Sequence, residues 1–393
     1  MAKRRSSGEG SSYHDLKGNK WQHKIYCYDE NGIRKRKTFS GKTQAEAIEK
    51  AKAFLRMQGQ LQDDSRLDML VGEWLDEWII NYAKHKVRPR TLEKYISSLN
   101  CYIRPRFKAI RLRDLTSAML QKHFNALLES GGQTGQGLSP STISAARRYF
   151  AQCVDDAIKE GILMNNPVRM AKGPRLQRKE IAVLSKDEVV ELIEAARYID
   201  HPFMSVMMPV LIELTAHTGL RQGEVFGLKW DDVDFVNGGI YIRRSLAHVV
   251  GKGAVFQEPK TKCSRRRVLL LSGDVERLKE YRKWQRKYAD ELGDEFDWQN
   301  LLFTSPFGKP ISPTNFSRRY FKPLLAKCRI DKSFTFHGLR HTHATLLLQQ
   351  GVNPKIVQER LGHSSIKVTM DTYSHVLPDM QQQAVDALND LFQ

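Results

Sequence analysis

The 393-residue sequence contains no apolar run of the roughly 18 residues that a helix needs to cross a bilayer. Its N-terminus is basic, but the apolar stretch of a secretory signal does not follow it. Cysteine is scarce: there are five, and none forms a C-x-x-C pair, so neither a disulfide framework nor a zinc ribbon is indicated. These absences predict a protein that stays in the reducing cytoplasm where it is made.

Negative charge is also in short supply. The chain has 44 Asp and Glu against 63 Lys and Arg, which gives a formal net charge of +19. Such an excess attracts polyanions by a long-range field and by the release of their counterions. Nucleic acid is therefore the first expected partner, and a soluble lysine-rich protein without such a partner is the alternative. A membrane is less favoured, because no strongly basic amphipathic helix stands out.

The first segment, residues 1–62, has the pattern of a small sheet followed by a helix, after a polar start that is expected to be disordered. Trp21–Tyr28 alternates apolar and polar residues, an Asn-Gly turn signal follows at positions 31 and 32, and Ile33–Phe39 is a basic strand. Thr43–Arg56 is a good helix. A basic sheet of this kind can lie in a DNA groove, and a structural hairpin with a solvated basic face is the alternative. The expected DNA contacts are Arg34, Lys35, Arg36 and Lys37.

The second segment, residues 66–172, is expected to be a helical bundle, and residues 173–180 a linker. Helices are predicted within MLVGEWLDEWIINYA and over Arg90–Asn100, Thr116–Ser130 and Ser141–Glu160, with an end at Asn165-Asn166-Pro167. The fold class expected for the whole chain is α+β multidomain. It combines the small N-terminal β-sheet and helix with this bundle and with a mostly α C-terminal domain that holds a small antiparallel sheet.

The third segment, residues 181–393, mixes helices with that short sheet. The expected elements are helices over Glu188–Arg197 and Met204–Thr218, strands within Val233–Ser245 and Ala254–Leu271, and further helices from Asn315. Near the end of the chain, AVDALNDLF carries Val385, Leu388 and Phe392 on one helical side. This tail is expected to pack either on a neighbouring protomer or on its own domain.

Two arginines, a lysine, two histidines and a tyrosine in this segment suit phosphodiester chemistry. They are Arg221, Lys260, His337, Arg340, His363 and Tyr373. Arginine meets two phosphate oxygens at once and stays charged, and fixed cations stabilise a phosphoryl transition state more than its ground state. A tyrosine becomes nucleophilic when neighbouring positive charge favours its phenolate.

The hypothesis that the same segment binds a metal ion has weaker support. His337 and His341 lie four residues apart and could form half a zinc site, but no Glu and no cysteine pair completes it. Asp231, Asp232 and Asp234 could suggest two-metal catalysis, yet they lie at a turn into a strand and are expected to be structural.

In order and spacing, three stretches together resemble the boxes of the tyrosine recombinase (phage integrase) family, which includes lambda-type integrases and Xer recombinases. HTGLRQGEV resembles the first arginine box, HGLRHTHAT the H-x-x-R box, and LGHSSIKVTMDTYSH the final His-to-Tyr box. The resemblance covers about residues 181–380. The helical segment is similar to the family's core-binding (SAM-like) domain. The N-terminal segment is similar to the arm-binding domains of integrases from Gram-positive phages and conjugative transposons.

The resemblance implies a role for each matching residue. Tyr373 would attack the scissile phosphate, forming a 3′-phosphotyrosyl bond and freeing a 5′-hydroxyl. Arg221 and Arg340 would clamp the non-bridging oxygens. His337 would act as acid or base or orient the phosphate, and His363 would hydrogen-bond it.

Two further residues complete the implied site. Lys260 would protonate the leaving 5′-oxygen, and Lys262 is its rival for this role. Glu224, at the family's acidic position, would orient Arg221 or His337. The resemblance implies no metal and no nucleotide cofactor, because the phosphotyrosine keeps the energy of the broken bond.

The implied partners are double-stranded DNA at attachment sites and three further protomers, which together form a homotetramer that passes through a Holliday junction. An excisionase or a host DNA-bending protein could assist, and no membrane is involved. The protein would act in the cytoplasm of a bacterial host, associated with the nucleoid. Two rival functions stay open: a type IB topoisomerase that relaxes DNA without a partner site, and a non-catalytic DNA-binding regulator.

Overall fold

The computed structural model describes residues 11–15, 18–28, 34–57, 66, 68–132, 135–176, 181–249, 251, 253–258, 265–331, 333–373, 385 and 388–392. Two units divide the chain, Met1–Gln177 and Arg178–Gln393. Within the described residues, no helix combines the length and the apolar character needed to span a membrane.

The N-terminal part of the first unit is a three-stranded antiparallel sheet covered by one helix. The strands are β1 (Ser11–Asp15), β2 (Lys20–Tyr28) and β3 (Arg34–Gly41), in the order β1-β2-β3, and the helix is α1 (Gln44–Met57). Strands β2 and β3 and the helix confirm the sequence prediction. The Asn-Gly turn lies outside the described residues.

Strand β1 falls in the polar start that was expected to be disordered, and for SSYHD that expectation is wrong. Each of its five residues pairs with β2, from Ser11 opposite Lys24 to Asp15 opposite Lys20. The His14 ring also packs edge-on against Trp21, at 5.2 Å between centroids. Ser12 Oγ shares a hydrogen bond with His23 Nδ1 at 2.7 Å. Backbone pairing, ring contacts and side-chain hydrogen bonds thus order a segment whose side chains supply little apolar surface.

The rest of the first unit is a helical bundle, as predicted. Its helices are α2 (Val71–Trp78), which continues through a π-helical turn (Ile79–Ala83) to Lys84–Lys86, then α3 (Pro89–Tyr102), α4 (Arg104–Phe107), α5 (Ser117–Ser130), α6 (Pro140–Lys159) and α7 (Pro167–Met170). Trp74 is fully buried, and its Nε1 donates to the Cys153 carbonyl at 2.9 Å. Pro167, expected to end the segment, instead opens a short helix that Asn166 caps.

The second unit is mostly helical. Its helices are α8 (Lys186–Ala196), α9 (Pro202–Thr218), α10 (Gln222–Phe226), α11 (Ser272–Leu292), α12 (Pro313–Phe316), which runs through a π-helical turn (Ser317–Phe321) into α13 (Lys322–Lys327), α14 (Gly338–Gln349), α15 (Pro354–Leu361) and α16 (Ile366–Tyr373). Helix α9 is buried along most of its length and packs on α8 and α14. It forms the centre of the unit's core.

The strands of this unit form two small antiparallel sheets. Strands β4 (Val233–Asp234), β5 (Gly239–Ile242) and β8 (Arg266–Leu269) make one sheet, and β6 (Ser245–Val249) and β7 (Gly253–Gln257) pair separately as a hairpin. Strands β4, β5 and β8 fall within the predicted ranges, and β7 begins one residue before its range. Strand β6 lies outside those ranges except for Ser245, so this strand was missed. The expected fold class is confirmed.

Helix α11 has no counterpart in the sequence prediction, although it is 21 residues long. Charged residues outnumber apolar ones along it, so its apolar stripe is narrow. The stripe is nevertheless buried at Leu278 and Tyr281, and Gln285 on the same side is fully buried and accepts a bond from Trp230 Nε1 at 2.7 Å. A buried polar residue thus stands where a sequence pattern would call for an apolar one.

Candidate active site

Three arginines from different elements converge on the C-terminal end of helix α15. Such an end presents carbonyls without helical partners and carries partial negative charge, so it attracts cations. Gly362 closes the helix in the left-handed region, with φ at 67°. Three successive carbonyls each accept one guanidinium bond: Arg360 O from Arg266 Nε at 2.7 Å, Leu361 O from Arg340 Nη2 at 2.9 Å, and Gly362 O from Arg221 Nη2 at 3.0 Å.

A glycine turn brings Arg221 and Arg340 together. Helix α9 ends at Thr218, and Gly219 turns the chain at a φ of 64° so that Arg221 begins α10. A Cβ on Gly219 would lie 2.6 Å from Cδ2 of His343, so a side chain would not fit here. Arg340 Nη1 donates to the carbonyl of Gly219 at 2.8 Å. The turn therefore places one arginine and holds the other.

Arg340 is the more enclosed of the two arginines. Its residue is 2% exposed, whereas the side chain of Arg221 is 36% exposed. Burial, and then the nearby charge of Arg221, lower the pKa of Arg340 to about 9. Arg340 is therefore still a cation at neutral pH. Keeping this charge in a buried position costs free energy, which a bound anion would offset.

Glu224 links two of the arginines. Its Oε1 accepts a bond from Arg221 Nη1 at 2.7 Å, and its Oε2 pairs with Arg266 Nη2 at 3.0 Å. Burial alone would raise the pKa of Glu224, but Arg266 first and then Arg221 hold that pKa below its usual range. Glu224 was expected to orient either Arg221 or His337. Its hydrogen bonds go to Arg221, which fits the first of these roles.

The histidines near these arginines are neutral at physiological pH. Burial, followed by the charges of Arg340 and Arg221, lowers the pKa of His363 to about 4, and the same causes lower the pKa of His337. His363 Nδ1 shares a hydrogen bond with Thr369 Oγ1 at 2.8 Å. His337, at the start of α14, is partly desolvated by its neighbours although the residue still has an exposed surface. Both rings are therefore set to exchange hydrogen bonds rather than to add charge.

Tyr373 is enclosed beside these groups. The residue is 2% exposed, and its hydroxyl shares a 2.7 Å hydrogen bond with Nδ1 of His341. Burial raises the pKa of Tyr373 to about 12 although the charge of Arg340 lowers it, and burial lowers the pKa of His341 to about 4. Because burial moves these two pKa values apart, the hydroxyl keeps its proton and His341 stays neutral. In this arrangement Tyr373 is a protonated, sheltered phenol.

The structure thus gathers Arg221, Glu224, His337, Arg340, His363 and Tyr373 within one region of the second unit. Lys260 and Lys262 lie outside the described residues. Sequence reasoning missed Arg266, which occupies the middle of the triplet RRR at 265–267. Alternation along a strand turns this middle side chain to the face opposite its neighbours, and a buried arginine needs an acidic partner.

Comparisons with known proteins identify the family. Residues 182–380 match the Phage integrase family, and residues 70–128 match its N-terminal SAM-like domain. The chain belongs to the phage integrase family. It is an enzyme of the tyrosine recombinase type, whose members recombine DNA by breaking and rejoining strands, so the expected family and function class are confirmed.

This recombinase is 32% identical to a "Tyrosine recombinase XerC-like" protein of Caldanaerobacter subterraneus, with 93% of this chain and 94% of that protein covered. Its fold is similar to that of the Tn1549 transposon integrase solved in complex with transposon right end DNA. That likeness has a TM-score of 0.68 at 21% identity and covers 82% of this chain and 100% of the other. A lambda integrase tetramer bound to a Holliday junction has a TM-score of 0.55 at 20% identity, with 96% and 97% covered.

The N-terminal sheet of the recombinase has one covered and one open face. His23, Ile25 and Cys27 are buried, and Lys35 and Lys37 pair with the last two of these, so they share the face on which α1 packs. The Nζ of Lys37 lies 3.7 Å from the centre of the Phe54 ring of α1.

The open face carries the other set of alternating residues. Tyr26, 57% exposed, lies opposite Arg36, and Lys24 stacks over Tyr13 at 4.2 Å. Of the four basic residues expected to contact DNA, the alternation therefore assigns Arg36 to the open face and Lys35 and Lys37 to the face on which α1 packs, although both lysines remain exposed. Arg34 is the first residue of β3. An aromatic and basic surface of this kind suits contact with nucleic acid.

The carboxylates that could have indicated metal chemistry have structural roles. Asp232 is 1% exposed and pairs with Arg244, Asp231 accepts a bond from Asn300 at 2.7 Å, and Asp234 caps the turn after β4. In the described part of the chain, one cluster has the composition of a metal site: Glu213, His217 and Asp274. Its members are already paired, because Arg277 lies 2.9 Å from Glu213 and His217 hydrogen-bonds Asp274 at 2.8 Å.

Proposed function

We propose that this recombinase integrates and excises a phage or mobile element by cleaving attachment-site DNA through Tyr373. The observation that carries the proposal is the buried Tyr373 hydroxyl lying beside a cluster in which Arg221 and Arg340 are both held on the end of α15. A tyrosine that shares a site with two fixed guanidinium groups and neutral imidazoles is equipped for phosphoryl transfer without a metal.

The scissile phosphate would enter from the side of Arg221 and His337, because these side chains are accessible while Arg340 is enclosed. The guanidinium groups would bind the non-bridging oxygens, whose negative charge grows in the transition state. Because the positive charge of Arg340 is not fully compensated within the protein, the incoming phosphate would also neutralise part of it. His363 and His337 would add hydrogen bonds to the same oxygens.

Attack requires a change at Tyr373. With 2% exposure and a pKa of about 12, the phenol is sheltered, so we expect a movement of α16 to expose it when DNA binds. Its oxygen would then bond to phosphorus as the bond to the 5′-oxygen breaks. The phenol proton would leave to a base at the DNA-bound site, and the departing 5′-oxygen would take up a proton.

Lys260 is proposed as the donor of that second proton, on the strength of the family resemblance, with Lys262 as the alternative. Lys260→Ala and Lys262→Ala, compared on one cleavage substrate, decide between them. The lysine required for protonation is the one whose loss slows cleavage by about 10²-fold or more, the usual range for a general acid.

We also propose three domains: an arm-type DNA-binding domain (1–62), a core-binding domain (66–172) and a catalytic domain (181–393). Double-stranded attachment-site DNA would bind a homotetramer, for which the tetrameric lambda integrase on its junction gives support. An excisionase or a host bending protein would be an additional partner. The work site would be the cytoplasm of a bacterial host, where the chromosome lies.

The test is a duplex carrying a nick near the cleavage point, so that the short cleaved fragment is lost and the adduct is trapped. Wild type and Tyr198→Phe, a control tyrosine that is 74% exposed, should both form the adduct. Tyr373→Phe should form none, and a persisting adduct would refute the proposal. Efficient relaxation of plasmids without an attachment site would instead favour a type IB topoisomerase.

A further inference from the structure

We propose that Arg266 is a positioning residue for recombination: it contacts both oxygens of Glu224 and so limits Arg221 to one side-chain bond with that carboxylate, which keeps the Arg221 guanidinium oriented toward phosphate. The inference rests on the proposed function, because it gives Arg266 a supporting role in the binding of the phosphate by Arg221. Arg266 belongs to β8, whereas Arg221 precedes α10, so the two arginines come from separate elements that share one carboxylate.

The first support is the set of bonds that the carboxylate of Glu224 accepts. Arg266 makes the two-point contact, with Nη2 donating to Oε2 at 3.0 Å and Nη1 to Oε1 at 3.3 Å. From Arg221, Nη1 donates to Oε1 at 2.7 Å and the backbone N–H to Oε2 at 3.0 Å. Arg221 is therefore bound to the carboxylate through one side-chain nitrogen, and its other terminal nitrogen, Nη2, donates to Gly362 O at 3.0 Å.

The second support is the burial of the pair. The side chains of Arg266 and Glu224 are 7% and 5% exposed, so water would not replace a lost partner easily. Without Arg266, the buried carboxylate would have Arg221 as its remaining partner in this network. An arginine and a carboxylate favour a two-point, fork-to-fork pair. We therefore expect Arg221 to close on both oxygens of Glu224 and to turn away from the phosphate.

The third support is that Arg266 also holds the C-terminal end of α15, to which Arg221 and Arg340 are hydrogen-bonded. Its Nε donates to Arg360 O at 2.7 Å, one carbonyl before the acceptor of Arg340 and two before that of Arg221. One side chain thus holds both the carboxylate and the helix end that orient the phosphate-binding guanidinium groups.

The experiment compares cleavage of two trapped-adduct substrates, one with a normal scissile phosphate and one with a neutral methylphosphonate in its place. The variants are Arg266→Met, which removes the guanidinium, and Arg266→Lys, which keeps the charge but loses the fork. Arg267→Met is the matched control, because it is the next residue on β8 and pairs instead with Asp234 at 3.5 Å.

We expect Arg266→Met to cleave the phosphate substrate about 10²-fold more slowly, the scale of one lost oxyanion contact. The neutral substrate should lose less than about 10-fold, because it has less charge to compensate. Arg266→Lys should fall between, and Arg267→Met should match wild type. An equal loss on both substrates, or no loss on either, would overturn the proposal.

The double variant Glu224→Gln with Arg266→Met separates positioning from folding. It removes the carboxylate that would capture Arg221, and replacing both buried charges is better tolerated than removing one. It should cleave phosphate at least about 10-fold faster than Arg266→Met alone, a coupling typical of direct partners. A double variant no faster than the single one contradicts the mechanism.

Arg221→Ala tells which assumption has failed. If the cleavage rate of Arg221→Ala falls equally on the charged and the neutral substrate, the proposed binding of the phosphate by Arg221 is wrong. If the rate of Arg221→Ala falls more on the charged substrate and that of Arg266→Met does not, only the role of Arg266 is wrong.

Discussion

Replacing Glu224 by Gln should destabilise the catalytic unit measurably. Residue Glu224 is 4% exposed, and its carboxylate compensates part of the charge of two guanidinium groups, those of Arg221 and Arg266. Removing one partner of a buried ion pair costs about 3–5 kcal/mol. The side chain of Arg221 is 36% exposed, so solvent screens part of that loss, and glutamine keeps one acceptor oxygen. We therefore expect about 2–3 kcal/mol, or a fall in Tm of roughly 5–10 °C for a unit of this size.

The measurement is thermal unfolding of the full chain, followed at pH 7 and at acidic pH. Because the folded-state pKa of Glu224 is depressed, its contribution is present above the unfolded value near 4.5 and is lost as pH falls through the folded value. The gap between wild type and Glu224→Gln should therefore narrow in acid. Glu258→Gln is the control, since its pair with Arg265 is exposed. A Tm of Glu224→Gln within about 1 °C of wild type at pH 7 would refute the reasoning.

Three further predictions concern a turn, a helix contact and the N-terminal sheet. Gly219→Ala should lower stability by about 1–3 kcal/mol in denaturant titrations, because its φ is 64° and the new Cβ would meet His343; an unchanged midpoint would contradict this. The bond to Asp274 raises the pKa of His217, so this contact should contribute its full stability below pH 6.5 and lose it as the pH rises through the pKa of the folded protein. His217→Gln should reduce this loss of stability with rising pH. A variant whose stability falls with pH in parallel with that of wild type would argue against the assignment. Arg36→Ala should weaken arm-site DNA binding and reduce the log–log salt slope by about one, whereas Lys37→Ala should change it less, and the reverse order would assign DNA to the covered face.

The parts of the site that the sequence revealed are those fixed by local chain geometry. Gly219 ends a helix and Arg221 starts the next, while His337 and Arg340 lie three residues apart at a helix start, so their placement follows from a few neighbouring residues. Arg266 could not be found in this way, since its partner Arg360 is 94 residues further along the chain. Its contribution depends on where β8 meets the end of α15, which no local pattern encodes.

The enclosure of Tyr373 was equally hidden from the sequence. The spacing between His363 and Tyr373 matches the family box, but it does not tell that the phenol packs among Ala344, Leu348 and Leu361. Helix α11 and strand β1 were missed for a related reason. A narrow apolar stripe and a polar strand are both stabilised by contacts with distant parts of their unit, and such contacts leave a weak local signal.

The chemical identity of the DNA linkage tests the central claim most directly. After trapping on a nicked attachment site, the adduct would be digested with protease and the nucleotide-bearing peptide sequenced by mass spectrometry, with the freed DNA end analysed in parallel. The account predicts a 3′-phosphate joined to Tyr373 and a free 5′-hydroxyl. Attachment at any other residue, or through a 5′-phosphate, would contradict it.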